Sequence, residues 1–283
     1  MTVSPLSRWQ GHLDLSYQKY QQKTQVASVY AKAPFKVQKS FYPENEAICH
    51  TVILHTAGGM VGGDRLTQKI NLEADCHSLI TTPAATKIYG HPERLSEQDI
   101  AIQLGSGACL EYLPQETIVY NQAHYLQKTR IQLGSNAQYF GWEIHRFGRT
   151  ARQERYTQGD WKSSTEIWQG SLPLWIDHQW LPADLGAAER LNGLAGQPLS
   201  GALCWVGRNI PDTILAEIRQ LGVGLDRPET MGVTQLQQGL LCRYRGSSIA
   251  AVRTWFKRVW DWLRPLYLGS PPITPRVWQF LQE

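Results

Sequence analysis

Three stretches of this chain can be laid over one another: INLEADCHSLITTP from Ile70, IQLGSGACLEYLPQ from Ile102 and IQLGSNAQYFGWEI from Ile131, with starts offset by 32 and 29 residues. Each opens with apolar residues at alternate positions, passes a short turn and enters a second strand of apolar or aromatic side chains. A two-strand unit of this kind cannot bury its apolar face alone, so successive units stack into layered sheets. The expected fold class is mainly β, with helically wound, stacked sheets in an irregular β-solenoid-like arrangement.

Strand-like alternation runs over about residues 13–180, and helical periodicity appears only after Pro211. One helix is expected between Asp212 as N-cap and Gly222 as its stop, with Ile214, Leu215, Ile218 and Leu221 on one face. A second begins near Ser247/Ser248 and sets Ile249, Val252, Phe256, Val259 and Leu263 at helical spacing, and Pro265 is expected to end or kink it. Residues 181–210, dense in glycine and proline, read as a long connection. The chain, 1–283, reads as a single domain whose β-rich portion precedes a mixed, helix-bearing portion over about 205–283.

Composition excludes several functions. With 42% hydrophobic residues, 11 Trp and 12 Tyr, the chain has too much core material for a disordered protein. No run approaches the ~18 apolar residues of a membrane helix, and the first thirty residues lack an apolar signal core. No membrane role is therefore expected, and the cytoplasm is the default location. A net charge of +4 without a long Lys/Arg run leaves no footprint for nucleic acid. Five scattered cysteines without a Cys-x-x-Cys argue for reduced, buried thiols rather than disulfides or a structural zinc.

The strongest local signal is TAGGMVGGD, Thr56 to Asp64, where Gly58, Gly59, Gly62 and Gly63 crowd six positions between a strand and an acid. Such density permits positive φ and close backbone approach. A phosphate cradle fails on detail, because Gly-Lys-Ser/Thr is absent and Met60 occupies the second glycine of a Gly-x-Gly-x-x-Gly. His55 and Asp64-Arg65 flank the loop. LITTPAATKIYG, from Leu79, reads as a strand and turn, with Thr81, Thr82, Thr86 and Lys87 suited to a polar groove. Glu143, Arg149, Arg152, Glu154 and Arg155 read first as ion pairs; lining a cavity instead, Glu143 and Glu154 offer oxygen ligands to a divalent cation. The histidines lack His-x-His or His-Glu-x-x-His spacing, so no preformed tight metal site is expected.

HTAGGMVGGDRL, ITTPAATKIYG, LEYLPQETIVYNQA and FGRTARQERYTQGDW, followed by GLLCRYRGSSIAAVRTWFKRVWDWLRPLYLG and PRVWQ, resemble in order and spacing the motifs of the UreD (UreH) family of urease accessory proteins. The resemblance covers about residues 25–279. It implies a scaffold for nickel insertion into apo-urease, not an enzyme, with urease subunits and UreF as partners and the GTPase UreG recruited through UreF. No tightly bound cofactor is implied; Ni²⁺ passes transiently, along an internal passage proposed for the family. By motif, Asp64 closes the glycine loop, Thr86-Lys87 end the Thr-Thr-x-Ala-Ala-Thr-Lys element, Glu116 belongs to Leu-Pro-Gln-Glu-Thr, and Arg149 and Glu154 to Gly-Arg-x-x-x-x-Glu. The chain departs from the family pattern at Asn121, where an acid is common, at Glu143, where Asp is frequent, and at Gln153, where glycine is expected, which suggests a different turn before Glu154.

A metal route demands isolated, weak oxygen ligands, so that entry is favourable and release is easy. Asp64, Glu143, Glu154, Asp177 and His55 are the candidates for its lining. The aromatic excess around the second helix, Trp255, Phe256, Trp260 and Trp262, is the candidate partner interface. Two other classes fit less well: a β-solenoid carbohydrate-active enzyme using Glu111 with Glu116 or Glu143, and a small-ligand binding module built on the glycine loop.

Overall fold

The computed structural model describes residues 9–225 and 231–281, so the ends of the expected 1–283 unit lie outside the described residues. The first strands are β1 (Gln10–Tyr20), β2 (Lys23–Lys32), β3 (Phe35–Val37), β4 (Ile48–His55), β5 (Arg65–Leu72) and β6 (His77–Thr81). Next come β7 (Thr86–Ile88), β8 (Leu95–Leu104), β9 (Cys109–Leu113), β10 (Thr117–Val119), β11 (His124–Leu133) and β12 (Gln138–Phe147). Then follow β13 (Asp160–Gln169), β14 (Leu172–Pro182), β15 (Leu199–Val206), helix α1 (Asp212–Gln220), β16 (Met231–Leu236), β17 (Gly239–Gly246) and helix α2 (Ile249–Leu268).

The strands form two facing sheets. The first runs β14-β13-β11-β8-β5-β1-β2 and the second β16-β17-β15-β12-β9-β6-β4-β3, with β7 and β10 attached beside β12. The repeat is what generates this. Each unit sends one strand into the first sheet and the next into the second, as β5 to β6, β8 to β9 and β11 to β12, and like strands stack in parallel. Ile70, Ile102 and Ile131, the aligned starts of the repeat, are direct register partners, and the ladder extends to Leu15 and Ile167. All five are buried between the sheets. The turns repeat as well: Asp75, Gly107 and Asn136 lie at one offset and all take positive φ, at 56°, 70° and 57°. These are residue types that tolerate the left-handed region.

A second core lies on the outer face of the second sheet, where α2 buries Val252, Trp255, Phe256, Val259, Trp260 and Leu263 and α1 buries Leu215 and Ile218. Ser248 caps α2 by accepting from the Ala251 N–H, as the sequence suggests.

Three expectations need correction. Pro211, not Asp212, is the N-cap of α1; the helix does stop at Gly222 as expected, with Leu221 as its C-cap, and Gly222 there allows close packing, since a Cβ would come within 2.5 Å of Met231 Sδ. Pro265 does not end α2, which runs to Leu268 and closes with Gly269 at φ 76°; lacking an N–H, it forgoes the helical bond to the Asp261 carbonyl. Leu199–Val206, inside the expected connection, is a central strand between β12 and β17. Among the described residues no helix is long and apolar enough to cross a membrane.

Candidate functional site

The inward faces of the stacked strands change character along their length. Leu15, Ile70, Ile102, Ile131 and Ile167 fill one row; two residues earlier along the central strands, register places Gln68, Ile100, Thr129, Thr165 and Asp177 side by side. Two residues earlier again come Leu66, Gln98, Gln127, Ser163 and Gln179. A polar band therefore crosses the interior of the first sheet, perpendicular to the strands, from β5 to the edge strand β14. The second sheet answers it with Tyr112, Glu143 and His145, and in register with Glu143 stand Ala202 on β15 and Arg243 on β17.

Glu143 is the centre of this band. Its carboxylate accepts from Thr165 Oγ1 at 3.0 Å and, at 3.4 Å each, from Thr129 Oγ1 and Ser163 Oγ, all from the opposite sheet. No cation pairs with it among the described residues. Burial pushes its carboxyl pKa up, and the nearby Asp177 carboxylate adds to this against the three hydroxyls. The side chain keeps partial exposure deep in the protein because it faces a cavity of about 100 Å³, room for several waters. Gln68, Gln98, Gln127, Tyr112 and His145 share that cavity. Burial lowers the His145 pKa to about 4, so its imidazole is neutral at neutral pH.

The cavity reaches toward the glycine loop and the Thr-Thr-x-Ala-Ala-Thr-Lys segment. His55, Gly58, Gly59, Thr82, Thr86 and Lys87 line this end. Gly59, at φ 148°, lies where a Cβ would meet the Lys87 carbonyl at 2.5 Å, which explains the glycine by close approach. Gly62 and Gly63 sit outside the lining, Gly62 against His91. Asp64 is buried, but its Oδ2 accepts from the Val61 N–H at 2.9 Å, so it braces the loop rather than facing the cavity. His55 turns Nδ1 to the Ala57 carbonyl, and burial lowers its pKa.

The other predicted acids divide. Asp177 ends the polar band, its Oδ1 2.6 Å from Arg243 Nη2 and its Oδ2 2.6 Å from Gln179 Nε2. Glu154 stands apart, held by Arg149 Nε at 2.8 Å and the Asn121 N–H at 3.2 Å; burial opposes its charge, but these partners lower its pKa. Gln153 keeps a left-handed φ of 58°, so the turn expected of glycine survives. Asn121 Oδ1 accepts from the N–H groups of Thr157 and Gln158, a capping duty that requires no charge. Glu116 pairs with Arg253 of α2. Trp255, Phe256 and Trp260 are at most 1% exposed and pack in the second core, and Trp262 is partly buried against it; the expected interface is helix-to-sheet packing.

Sequence reasoning missed two groups. The glutamines carried a signal, since Gln98 and Gln127 precede Ile102 and Ile131 by the same four residues. Arg264 carried none: fully buried, it joins Glu111 at 3.0 Å to Glu44 at 2.7 Å, with His77 and His50 on the far sides of the two acids. Among the described residues no group of three or more His, Cys, Asp or Glu side chains is placed to hold a metal ion. What the band offers is separated oxygens along a line.

A family profile described as "UreD urease accessory protein" matches residues 10–279 of the chain. The chain is 49% identical over 275 residues to a protein of Trichormus variabilis named urease accessory protein UreD, covering 97% of this chain and 98% of that one. Proteins of the same name from Nostoc punctiforme and Thermosynechococcus vestitus are 50% and 48% identical, each over 96% of this chain and over 96% and 99% of their own lengths.

Proposed function

The chain belongs to the UreD family of urease accessory proteins, and from that premise we propose that it is a non-catalytic scaffold for nickel insertion into apo-urease, with Ni²⁺ as its cargo. It holds apo-urease and UreF, brings UreG through UreF, and passes Ni²⁺ along the polar band between its sheets. The observation that carries this reading is Glu143, a half-buried carboxylate with hydroxyl partners and no counter-cation among the described residues, facing a cavity that extends to the glycine loop.

The chemistry suits a cargo that must leave. Amide, hydroxyl and lone carboxylate oxygens bind a divalent cation weakly, whereas a clustered His/Cys site would retain it. A line of such groups favours entry at each step and release at the next. Glu111 lies on the outer face of the second sheet in the grip of Arg264, and Glu116 is held by Arg253, so neither shares a groove with Glu143 as a paired catalytic carboxylate. That weighs against the carbohydrate-active reading.

The test is co-expression of the urease subunits and the remaining accessory proteins with and without this chain, followed by metal analysis of purified urease. Nickel near background without the chain, and full loading with it, is expected. Fully metallated urease in its absence would contradict the proposal.

A further inference from the structure

The Asp177–Arg243 pair joins the two sheets where the polar band ends. Asp177 is on β14, the edge of the first sheet, and Arg243 is on β17 of the second, and only 2.6 Å separates their polar atoms. Beyond them is a surface pocket of about 580 Å³ lined by Gln179, Trp180, Asn192, Arg243 and Arg245. On the inner side, Glu143, Ala202 and Arg243 are register partners on adjacent strands, which puts Glu143 and Arg243 roughly 10 Å apart at the backbone. Only the methyl group of Ala202 stands between them in that row. Arg243 is 39% exposed and Asp177 15%, so the pair lies at the boundary between interior and pocket.

The geometry points to Arg243 as the doorkeeper of this exit: its guanidinium occupies the last carboxylate of the band, and a divalent cation leaving Glu143 must displace it from Asp177. This assignment rests on the passage reading above. Arg243 is a positioning residue here, acting through Asp177. A guanidinium already on the carboxylate keeps Asp177 from trapping the cation, because a monovalent partner competes for the same oxygens and repels the ion it admits. Once the cation moves into the pocket, the pair re-forms and the end of the band closes.

The test uses the full chain with Ni²⁺ alone as probe, read by equilibrium dialysis and by a chelator chase of loaded protein. Arg243→Met, which keeps the length of the stem without charge, should bind Ni²⁺ about tenfold more tightly and release it about tenfold more slowly. Arg243→Lys should stay within about threefold of the parent, because a point charge remains without the planar fork. Asp177→Asn, which leaves the guanidinium with no acid, should weaken Ni²⁺ binding about tenfold. A folded Arg243→Met with unchanged affinity and chase rate would overturn the assignment; if that variant does not fold, unchanged values in Asp177→Asn overturn it. Glu143→Gln, measured in parallel, separates the two levels: if it alters binding while the Arg243 and Asp177 variants do not, the doorway fails and the passage stands. If none of the variants alters binding, both fail.

Discussion

Glu143 on β12 and Thr165 on β13 belong to opposite sheets, and their side chains meet at 3.0 Å across the interior of the protein. The contact holds a carboxylate in a place that does not favour its charge. Burial raises the Glu143 pKa above its unfolded value. The cost is therefore fully present above the folded pKa and absent below the unfolded value of about 4.3. Glu143→Gln is expected to stabilise the protein at pH 8 by about 0.5–2 kcal/mol in urea denaturation, an advantage that vanishes near pH 4. A destabilised Glu143→Gln at pH 8 would mean that the acid is structural.

Arg264 makes the opposite prediction. It is wholly buried between Glu44 and Glu111, acids 67 residues apart in sequence (111 − 44), and ties α2 to β9 and to the segment before β4. Arg264→Met leaves both carboxylates without their main partner and should cost about 3–5 kcal/mol, read as a lower urea midpoint.

The same network predicts acid sensitivity. Burial opposes the Glu111 charge, yet His77 and Arg264 hold its pKa down to about 2. A depressed carboxylate contributes stability above its unfolded pKa, about 4.3, that is lost as the pH falls toward 2. The protein should lose stability across that window, and Glu111→Gln, less stable at pH 7, should lose less across it. Equal pH slopes for the two proteins would contradict the assignment.

Gln153 holds φ 58° in the turn before Glu154. A non-glycine residue pays a steric cost there that glycine does not. Gln153→Gly should therefore be neutral or stabilising by up to about 1 kcal/mol, although glycine elsewhere destabilises, and thermal unfolding would show it.

Much of the fold is legible because its repeat is simple. Ile70, Ile102 and Ile131, the equivalent first residues of the three repeats, are neighbours in the sheet ladder, and Asp75, Gly107 and Asn136 mark the turns at one offset. Ile102→Ala should accordingly open a cavity costing about 2–5 kcal/mol. The β15 strand was hidden by its glycine. Gly201 packs beneath α2, where a Cβ would come within 3.1 Å of Val252 and 3.2 Å of Phe256, so a residue that signals a loop marks a close sheet-to-helix approach.

The site was partly legible. Glu143 and Asp177 fall on the polar band, as a line of weak oxygen ligands requires, because alternation on β12 and β14 turns both inward. Asp64 and Glu154 do not: one caps its own loop, and the other is bound by Arg149, the ion pair that the sequence suggested as the first reading of these residues. The tryptophans of α2 read as surplus because the breadth of the sheet they cover is set by strands far away in sequence. Arg243 meets Asp177 across 66 residues, and only the closed sandwich brings them together.

The most direct measurement of the central claim is the nickel content of urease matured with Glu143→Gln in place of the parent chain, with co-purification of the accessory complex monitored in the same cells. The substitution keeps size and polarity and removes the one unpaired carboxylate of the band. Urease with its nickel reduced at least several-fold, from a complex that still assembles in full, is the predicted result. Normal nickel loading by that assembled complex would contradict passage through the interior.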